Sequence, residues 1–252
     1  MVEIYVFTSD PVQLNSYLVV GTERALVVDT GAGPAQAGSI LAAFRALTDL
    51  PLTVVNTHDH WDHFFGNAAF AADGVDDFLA SPGFVRDHRA SAWIQLEAVP
   101  LEHEPDLPTP EDLLVPVTAV DTGETLSLGD CTVEFLPLGG HTESDLVILC
   151  EDVALVGDLV EEGAPPQFGD DALPARWAES LETLLALPQP QVFAPGHGQP
   201  VDRTFLAAQL GDIAAVAESD STAEVPSRTA PPFTWVGTGA GSHLPAGVRR
   251  LR

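Results

Sequence analysis

The hexapeptide His58-Asp-His-Trp-Asp-His63 constrains this chain more than any other feature, because its H-x-H-x-D-H pattern concentrates metal-binding side chains. Residues 51–57 before it are apolar in the middle and β-branched, which predicts a buried strand, and residues 64–70 favour a helix. His58 and His60, two residues apart on extended backbone, point to one side, whereas Asp62 and His63 turn to a second point nearby. This spacing suits two neighbouring metal ions.

Three further loops each offer one ligand-type residue beside glycine. His141 follows a predicted strand at 133–137, Asp158 follows a predicted hairpin at 146–156, and His197 follows a predicted strand at 191–194. Glycine lets the backbone approach a crowded ion closely. The additional ligands that the hexapeptide needs are therefore expected at these three strand ends.

Together with Asp29 in the segment Leu26-Val-Val-Asp-Thr-Gly31, these motifs resemble the metallo-β-lactamase superfamily of hydrolases over about residues 12–210, in the family's order. The resemblance implies an α+β fold, a four-layer αββα sandwich with the metals at one edge of two sheets. It implies a first metal held by His58, His60 and His141. It also implies a second metal held by Asp62, His63 and His197. Asp158 would bridge the two metals. Asp29 would hydrogen-bond the ligand loop and so keep the histidines in orientation.

Nitrogen and oxygen ligands without a thiolate suit zinc and also admit iron or manganese, so two zinc ions are the expected cofactors. The implied reaction is attack of a metal-bridging hydroxide on a carboxylic ester, lactone, thioester or amide of a small molecule. Asp62 is the expected catalytic residue, orienting the hydroxide and passing a proton to the leaving group. Asp158 stands where β-lactamases of the best-known subclasses carry a cysteine, which points away from β-lactam hydrolysis.

Two other functions stay open at this point. One is a mononuclear iron dioxygenase for persulfides, which shares the fold and most of the motif. The other is a non-catalytic member that binds a ligand or a partner protein, although every expected metal ligand is intact.

The net charge and the lack of signal or transmembrane segments limit the kinds of partner that we expect. The chain has 37 acidic residues against ten arginines and no lysine, giving a formal net charge of −27. Such a surface repels phosphate backbones, so we expect no nucleic-acid partner. The amino terminus lacks the pattern of a secretory signal and no stretch has the length of a transmembrane helix, which predicts a cytoplasmic protein without membrane contact. The oligomeric state stays open, a homodimer included.

The predicted domain organisation is a hydrolase domain at 1–218 and a tail at 219–252 that packs on it or trails from it. The tail is too short for the helical domain with which glyoxalase II enzymes bind glutathione, and Arg249, Arg250 and Arg252 are expected to neutralise nearby acid or hang free. Residues 74–118 are expected to be irregular, as a wall or lid over the site. Trp177 is expected in the core.

The sequence also predicts the character of the pocket. Aromatic side chains near the motifs are expected to form an apolar wall: Trp61, Phe64, Phe65, Trp93 and Phe168, with Gln167 beside them. The nearest cations in sequence are Arg86, Arg89 and Arg176. A wall without a cationic clamp favours neutral substrates with a hydrophobic acyl or aryl part.

Overall fold

A computed structural model describes residues 2–99, 107–219, 225–236 and 244–251, with the side chains of 87–90 left out. Its strands are β1 Glu3–Ser9, β2 Leu14–Val20, β3 Ala25–Val28, β4 Leu52–Val55, β5 Phe78–Ala80, β6 Thr118–Ala119, β7 Thr125–Ser127, β8 Thr132–Pro137, β9 Leu146–Cys150, β10 Val153–Gly157, β11 Val192–Pro195 and β12 Val248–Arg250. Its helices are α1 Pro34–Arg45, α2 Trp61–Phe64, α3 Asn67–Ala72, α4 Pro82–Ala98, α5 Pro174–Ala186 and α6 Arg203–Ser219.

The described strands form two sheets. The first runs in the order β12-β1-β2-β3-β4-β5-β6 and the second in the order β11-β10-β9-β8-β7. One buried cluster joins the two sheets, with Val28 and Val55 from the first facing Phe135 and Leu155 from the second. Burial of apolar side chains between the sheets is the main force that holds them face to face.

Helices cover the outer face of each sheet. Ile40 and Phe44 of α1 pack on the outer face of the first sheet, and Trp177 of α5 and Leu206 of α6 pack on that of the second. The layers are therefore helix, sheet, sheet, helix, and the predicted α+β, four-layer αββα sandwich is confirmed. Trp177 is fully buried, as expected from the amphipathic pattern of its helix.

The expectation of an irregular segment at 74–118 is wrong for residues 78–98, which form β5 and α4. Ser81 caps α4 by accepting a hydrogen bond from the backbone N–H of Phe84 at 3.2 Å, and Pro82 starts the first turn, where its missing N–H costs nothing. The proline that suggested a loop therefore begins a helix. Residues 100–106 lie outside the described residues.

Strands β3 and β4 are parallel, as are β10 and β11, and each of them ends at the same edge of the sandwich. Within the first sheet, β12 from the carboxyl-terminal tail pairs antiparallel with β1. The described part of the tail thus packs on the sandwich, and the boundary at residue 218 stays a prediction. None of the described helices is long and apolar enough to cross a lipid bilayer.

Candidate metal centre

The structure brings all seven predicted metal ligands together at the strand ends. His58, His60 and His141 form one group whose ligand atoms lie within 4.8 Å of one another. Asp62, His63 and His197 form a second group of the same compactness. The seven come from three separate loops and the hexapeptide, so the convergence is a property of the fold rather than of local sequence.

Asp158 lies between the two groups. Its Oδ2 atom is 3.9 Å from Nε2 of both His58 and His141, 3.3 Å from Nε2 of His63 and 3.7 Å from Nε2 of His197. One carboxylate oxygen therefore faces imidazole nitrogens from both groups. This is the placement that the sequence predicts for a bridging ligand.

Three buried ligand atoms have no hydrogen-bond partner in the described part of the chain: Nε2 of His58, Nε2 of His63 and Oδ1 of Asp158. Leaving a buried polar atom unpaired costs roughly 1–3 kcal/mol, so proteins rarely tolerate several at one place. All three are lone-pair donors directed into the same site. The residues present therefore fit bound cations, which would pair with these atoms.

Asp29 holds the hexapeptide from behind. Its Oδ1 accepts the backbone N–H of Thr57 at 2.8 Å, and its Oδ2 accepts the Thr57 hydroxyl at 2.8 Å and Nδ1–H of His63 at 2.8 Å. Because the Thr57 hydroxyl donates to Asp29, its oxygen can accept Nδ1–H of His58 at 3.1 Å. Both histidines are thus fixed with Nε2 as the free nitrogen.

The other two histidines of the first group have outer partners as well. Nδ1–H of His141 donates to the backbone carbonyl of Gln167 at 3.2 Å, so its Nε2 is the nitrogen that faces His60 and the site. Nε2–H of His60 donates to Oδ2 of Asp171 at 3.1 Å, and Nδ1 of His60 is hydrogen-bonded to Nε2 of His141 at 3.0 Å. Sequence reasoning missed Asp171, which lies in a loop without a recognisable motif.

Protonation differs among the histidines of the metal-free chain. Burial lowers the pKa of His58 well below its ordinary value and lowers the pKa of His141 to about 4, so both are neutral at pH 7. Burial also acts to lower the pKa of His197, but the carboxylates of Asp158 and Asp62 outweigh it and raise that pKa to about 9. Burial also acts to lower the pKa values of His60 and His63, but Asp171 raises that of His60, and Asp158 and Asp29 raise that of His63 well above its ordinary value. The neutral imidazoles of His58 and His141 are therefore ready to bind a cation, whereas His63 and His197 must first lose a proton.

The carboxyl groups of the site also differ in their pKa values. Burial acts to raise the pKa of Asp62, but His63 and His197 hold it below its ordinary value, so Asp62 stays ionised. Glu161, which also lines the cavity, has its pKa raised to about 8 by burial and by the charge of Asp158. Asp62 and Asp158 are therefore the ionised carboxylates beside the two ligand groups, and Asp62 is the more exposed of the two.

A cavity of about 870 Å³ opens over the two groups, within the roughly 300–1,000 Å³ typical of small-molecule sites. The expected apolar wall is wrong, apart from Phe168. Phe64 and Phe65 are buried in a separate cluster with Phe84, and Trp93 is 53% exposed on α4. Most of the lining residues are instead polar or charged, among them Thr8, Gln13, Asn15, Glu161, Glu162, Gln167 and Gln199.

The expectation for the tail arginines is confirmed for Arg250, which pairs with Glu3 at 2.7 Å, and is wrong for Arg249. Arg249 of β12 lines the cavity rather than neutralising acid or hanging free, and its guanidinium stacks on Trp235 at 4.2 Å from the ring centroid. Arg86 pairs with Glu143 at 2.9 Å, and Arg176 donates to the backbone carbonyl of Leu138. The side chain of Arg89 lies outside the described residues, and so does all of Arg252.

Comparisons with known proteins agree with this geometry. The chain is 28% identical over 190 residues to a hydroxyacylglutathione hydrolase from Xanthomonas euvesicatoria, covering 71% of this chain and 58% of the relative. It is 26% identical over 162 residues to an acyl-coenzyme A thioesterase from Gallus gallus, covering 60% of this chain and 58% of the relative. The chain therefore spans somewhat more than half the length of these relatives.

A solved metallo-β-lactamase structure from Pontibacter korlensis shares the fold, with a TM-score of 0.65 and 20% sequence identity over 84% of this chain and 95% of the other. The family model for the metallo-β-lactamase superfamily matches residues 9–197, a span that contains all seven predicted ligands and Asp29. The hydrolase names of the relatives support the prediction of a metal-dependent hydrolase. The chain belongs to the metallo-β-lactamase superfamily.

Proposed function

We propose that this chain hydrolyses an acyl bond of a small molecule, an ester, lactone, thioester or amide, with two cations held by the seven converging side chains. The observation that carries the proposal is the set of three buried, unpaired ligand atoms on His58, His63 and Asp158. Two compact ligand groups that share Asp158 support two cations rather than one. Nitrogen and oxygen ligands without sulfur favour zinc, with iron or manganese as alternatives.

Bound cations would supply Lewis-acid polarisation of the scissile carbonyl and of the attacking water. The protein residues supply orientation and proton transfer. Asp62 is 15% exposed, and its Oδ2 accepts a hydrogen bond from Nε2–H of protonated His197 at 3.2 Å in the metal-free chain. An ionised carboxylate at this position can orient the water, take its proton and return it to the leaving group.

The relatives named as hydroxyacylglutathione hydrolase and acyl-coenzyme A thioesterase support an acyl bond, and thioesters in particular, as the target class. The cavity volume suits a small molecule rather than a polymer. The net charge of −27 argues against a nucleic-acid substrate. A cytoplasmic location stays a prediction from the sequence, and the oligomeric state stays open.

The test combines metal analysis with an activity screen. Protein purified without chelator should hold close to two zinc-like ions per chain and should hydrolyse members of an ester, lactone and thioester panel in a chelator-sensitive way. His197→Ala should empty mainly the second group and His141→Ala mainly the first.

One iron per chain with oxygen uptake on glutathione persulfide would replace the proposal with a dioxygenase. Full metal loading without any turnover would favour a non-catalytic, ligand-binding role.

A further inference from the structure

The cavity over the metal ligands contains one arginine among its described lining residues, Arg249. The other charged groups of the lining are histidines of the metal centre and four carboxyl groups, namely those of Asp62, Asp158, Glu161 and Glu162. In a chain with 37 acidic residues and ten arginines, a cation in such surroundings would be expected to pair with acid.

Arg249 makes no ion pair with any carboxylate of the described residues, unlike several other arginines of the chain. Arg45 pairs with Asp73 at 2.7 Å, and Arg250, the next residue, pairs with Glu3 at 2.7 Å. Glu162, the acidic neighbour in the lining, instead accepts the backbone N–H groups of Gln199 and Ala230, each at 2.9 Å. Within the described part of the chain, no carboxylate therefore neutralises the charge of Arg249.

The guanidinium is also held in place. It lies 4.2 Å from the Trp235 ring centroid, and Nη2 donates to Oγ1 of Thr8 at 2.5 Å. The backbone N–H of Val236 donates to the carbonyl of Arg250 at 2.9 Å, which holds the segment that carries Trp235 beside β12. A side chain held before the ligand arrives loses little conformational entropy on binding.

The same hydrogen bonds connect Arg249 to the metal centre. The Thr8 hydroxyl donates to Oδ1 of Asn15 at 2.7 Å, and Nδ2 of Asn15 donates to the carbonyl of Gly198 at 2.8 Å. Gly198 directly follows the predicted ligand His197. Arginine has five N–H donors, and Thr8 is its one hydrogen-bond acceptor among the described residues, so the other donors remain for a ligand.

We propose that Arg249 binds a carboxylate of the substrate, so that the preferred substrates are acyl compounds with a carboxylate away from the bond that breaks. The planar guanidinium matches a carboxylate through two parallel hydrogen bonds. A single arginine among several carboxyl groups favours a monoanion over a doubly charged phosphate. This inference rests on the proposed function and replaces the sequence-based expectation of neutral substrates.

The experiment compares two esters with the same leaving group and chain length: mono-para-nitrophenyl adipate, which carries a carboxylate, and para-nitrophenyl hexanoate, which is neutral. Arg249→Met keeps an aliphatic stem against Trp235 and removes the charge, and Arg250→Met is the matched control on the same strand. Metal content and melting temperature are measured for each protein. Binding of monomethyl adipate is followed in parallel by saturation-transfer NMR, which does not depend on turnover.

Arg249→Met should lower kcat/KM for the adipate ester by about ten- to a hundredfold, the range for a hydrogen bond to a charged group, mainly through KM. The hexanoate ester should change less than about twofold, and Arg250→Met should leave both esters unchanged. Equal losses on both esters, or none on the adipate ester, would overturn the inference. If the wild-type protein hydrolyses neither ester and no lactone, thioester or amide tested, the proposed function fails. Monomethyl adipate binding that is lost in Arg249→Met would then still support Arg249 as an anion site, and binding equal to wild type would refute it.

Discussion

Oδ2 of Asp29 lies 2.8 Å from Nδ1 of His63, and Asp29 adopts a left-handed backbone conformation with a φ of 63° to make this contact. Non-glycine residues adopt this conformation at a cost, and asparagine and aspartate adopt it most readily. The bond keeps Nδ1 of His63 protonated and turns Nε2 towards Asp158 and the site. The residue that ends β3 therefore sets the orientation of a ligand on the loop after β4.

Asp29→Asn should preserve the backbone and weaken metal binding. Asparagine tolerates the same φ, but its amide offers one acceptor oxygen in place of two. The bonds to Thr57 and His63 can no longer both be made in full, and loss of such an outer partner typically costs 10- to 100-fold in metal affinity. Competition titration with a zinc chelator should show this loss, with Asp49→Asn, a change at an exposed aspartate, as the control. Unchanged affinity in Asp29→Asn would remove the orienting role.

Asp171 should have the corresponding role for His60. Asp171→Asn keeps an oxygen acceptor but removes the charge that polarises the imidazole, and Asp171→Ala removes the acceptor as well. We expect about tenfold weaker metal binding in the first group for the alanine variant and a smaller loss for the asparagine variant. The adjacent exposed residue provides the control, Asp170→Asn. Equal metal affinities for all three variants would show that the contact at 3.1 Å is incidental.

The metal ligands could be predicted from the sequence because they occur in short local motifs next to glycine at strand ends. Asp171 and Arg249 could not, because each lies in a segment without a periodic pattern, and only the tertiary fold brings it to the site. The apolar wall was wrong for a geometric reason. On the short helix α2, His63 turns towards the metal centre, and Phe64 therefore turns away from it and packs against Phe84. Sequence neighbours of a ligand are thus not necessarily neighbours of the cavity.

Metal binding should release protons in a pH-dependent way. The pKa of His197 is raised to about 9 from an ordinary 6.5. Protonation of His197 therefore stabilises the folded, metal-free chain fully below pH 6.5, and this contribution is lost as the pH rises through about 9. A cation must displace this proton at neutral pH. Calorimetry at about pH 7.5 in buffers of different ionisation enthalpy should therefore show proton release, and His197→Gln should release about one proton fewer. Equal release from both proteins would place the proton elsewhere.

Gly196 should be essential to the site without being a ligand. A Cβ atom there would lie 2.2 Å from Oδ1 of Asp158 and 2.8 Å from Cε1 of His63, so two predicted ligands would have to move. Gly196→Ala should lose more than about tenfold in metal affinity, with activity falling in parallel. Gly211→Ala is the matched control, because its Cβ would meet nothing within 4 Å and alanine favours the helix α6 by roughly 1 kcal/mol. A Gly196→Ala protein with normal metal content and turnover would contradict the described packing.

Asp62 should matter more to catalysis than to folding. Its carboxylate is ionised because His63 and His197 lower its pKa against the effect of burial, and it is partly open to the cavity. Asp62→Asn keeps the size and an oxygen that can face a cation, but it can no longer take a proton from water. We expect the folded state and most of the metal to be retained, and kcat to fall on the order of a hundredfold or more, the range of a lost acid–base group. Asp59→Asn in the same hexapeptide is the control, since Asp59 accepts a hydrogen bond from Ser144 at 2.6 Å and is not one of the predicted ligands. Near-normal turnover of Asp62→Asn at full metal loading would exclude Asp62 as the proton acceptor.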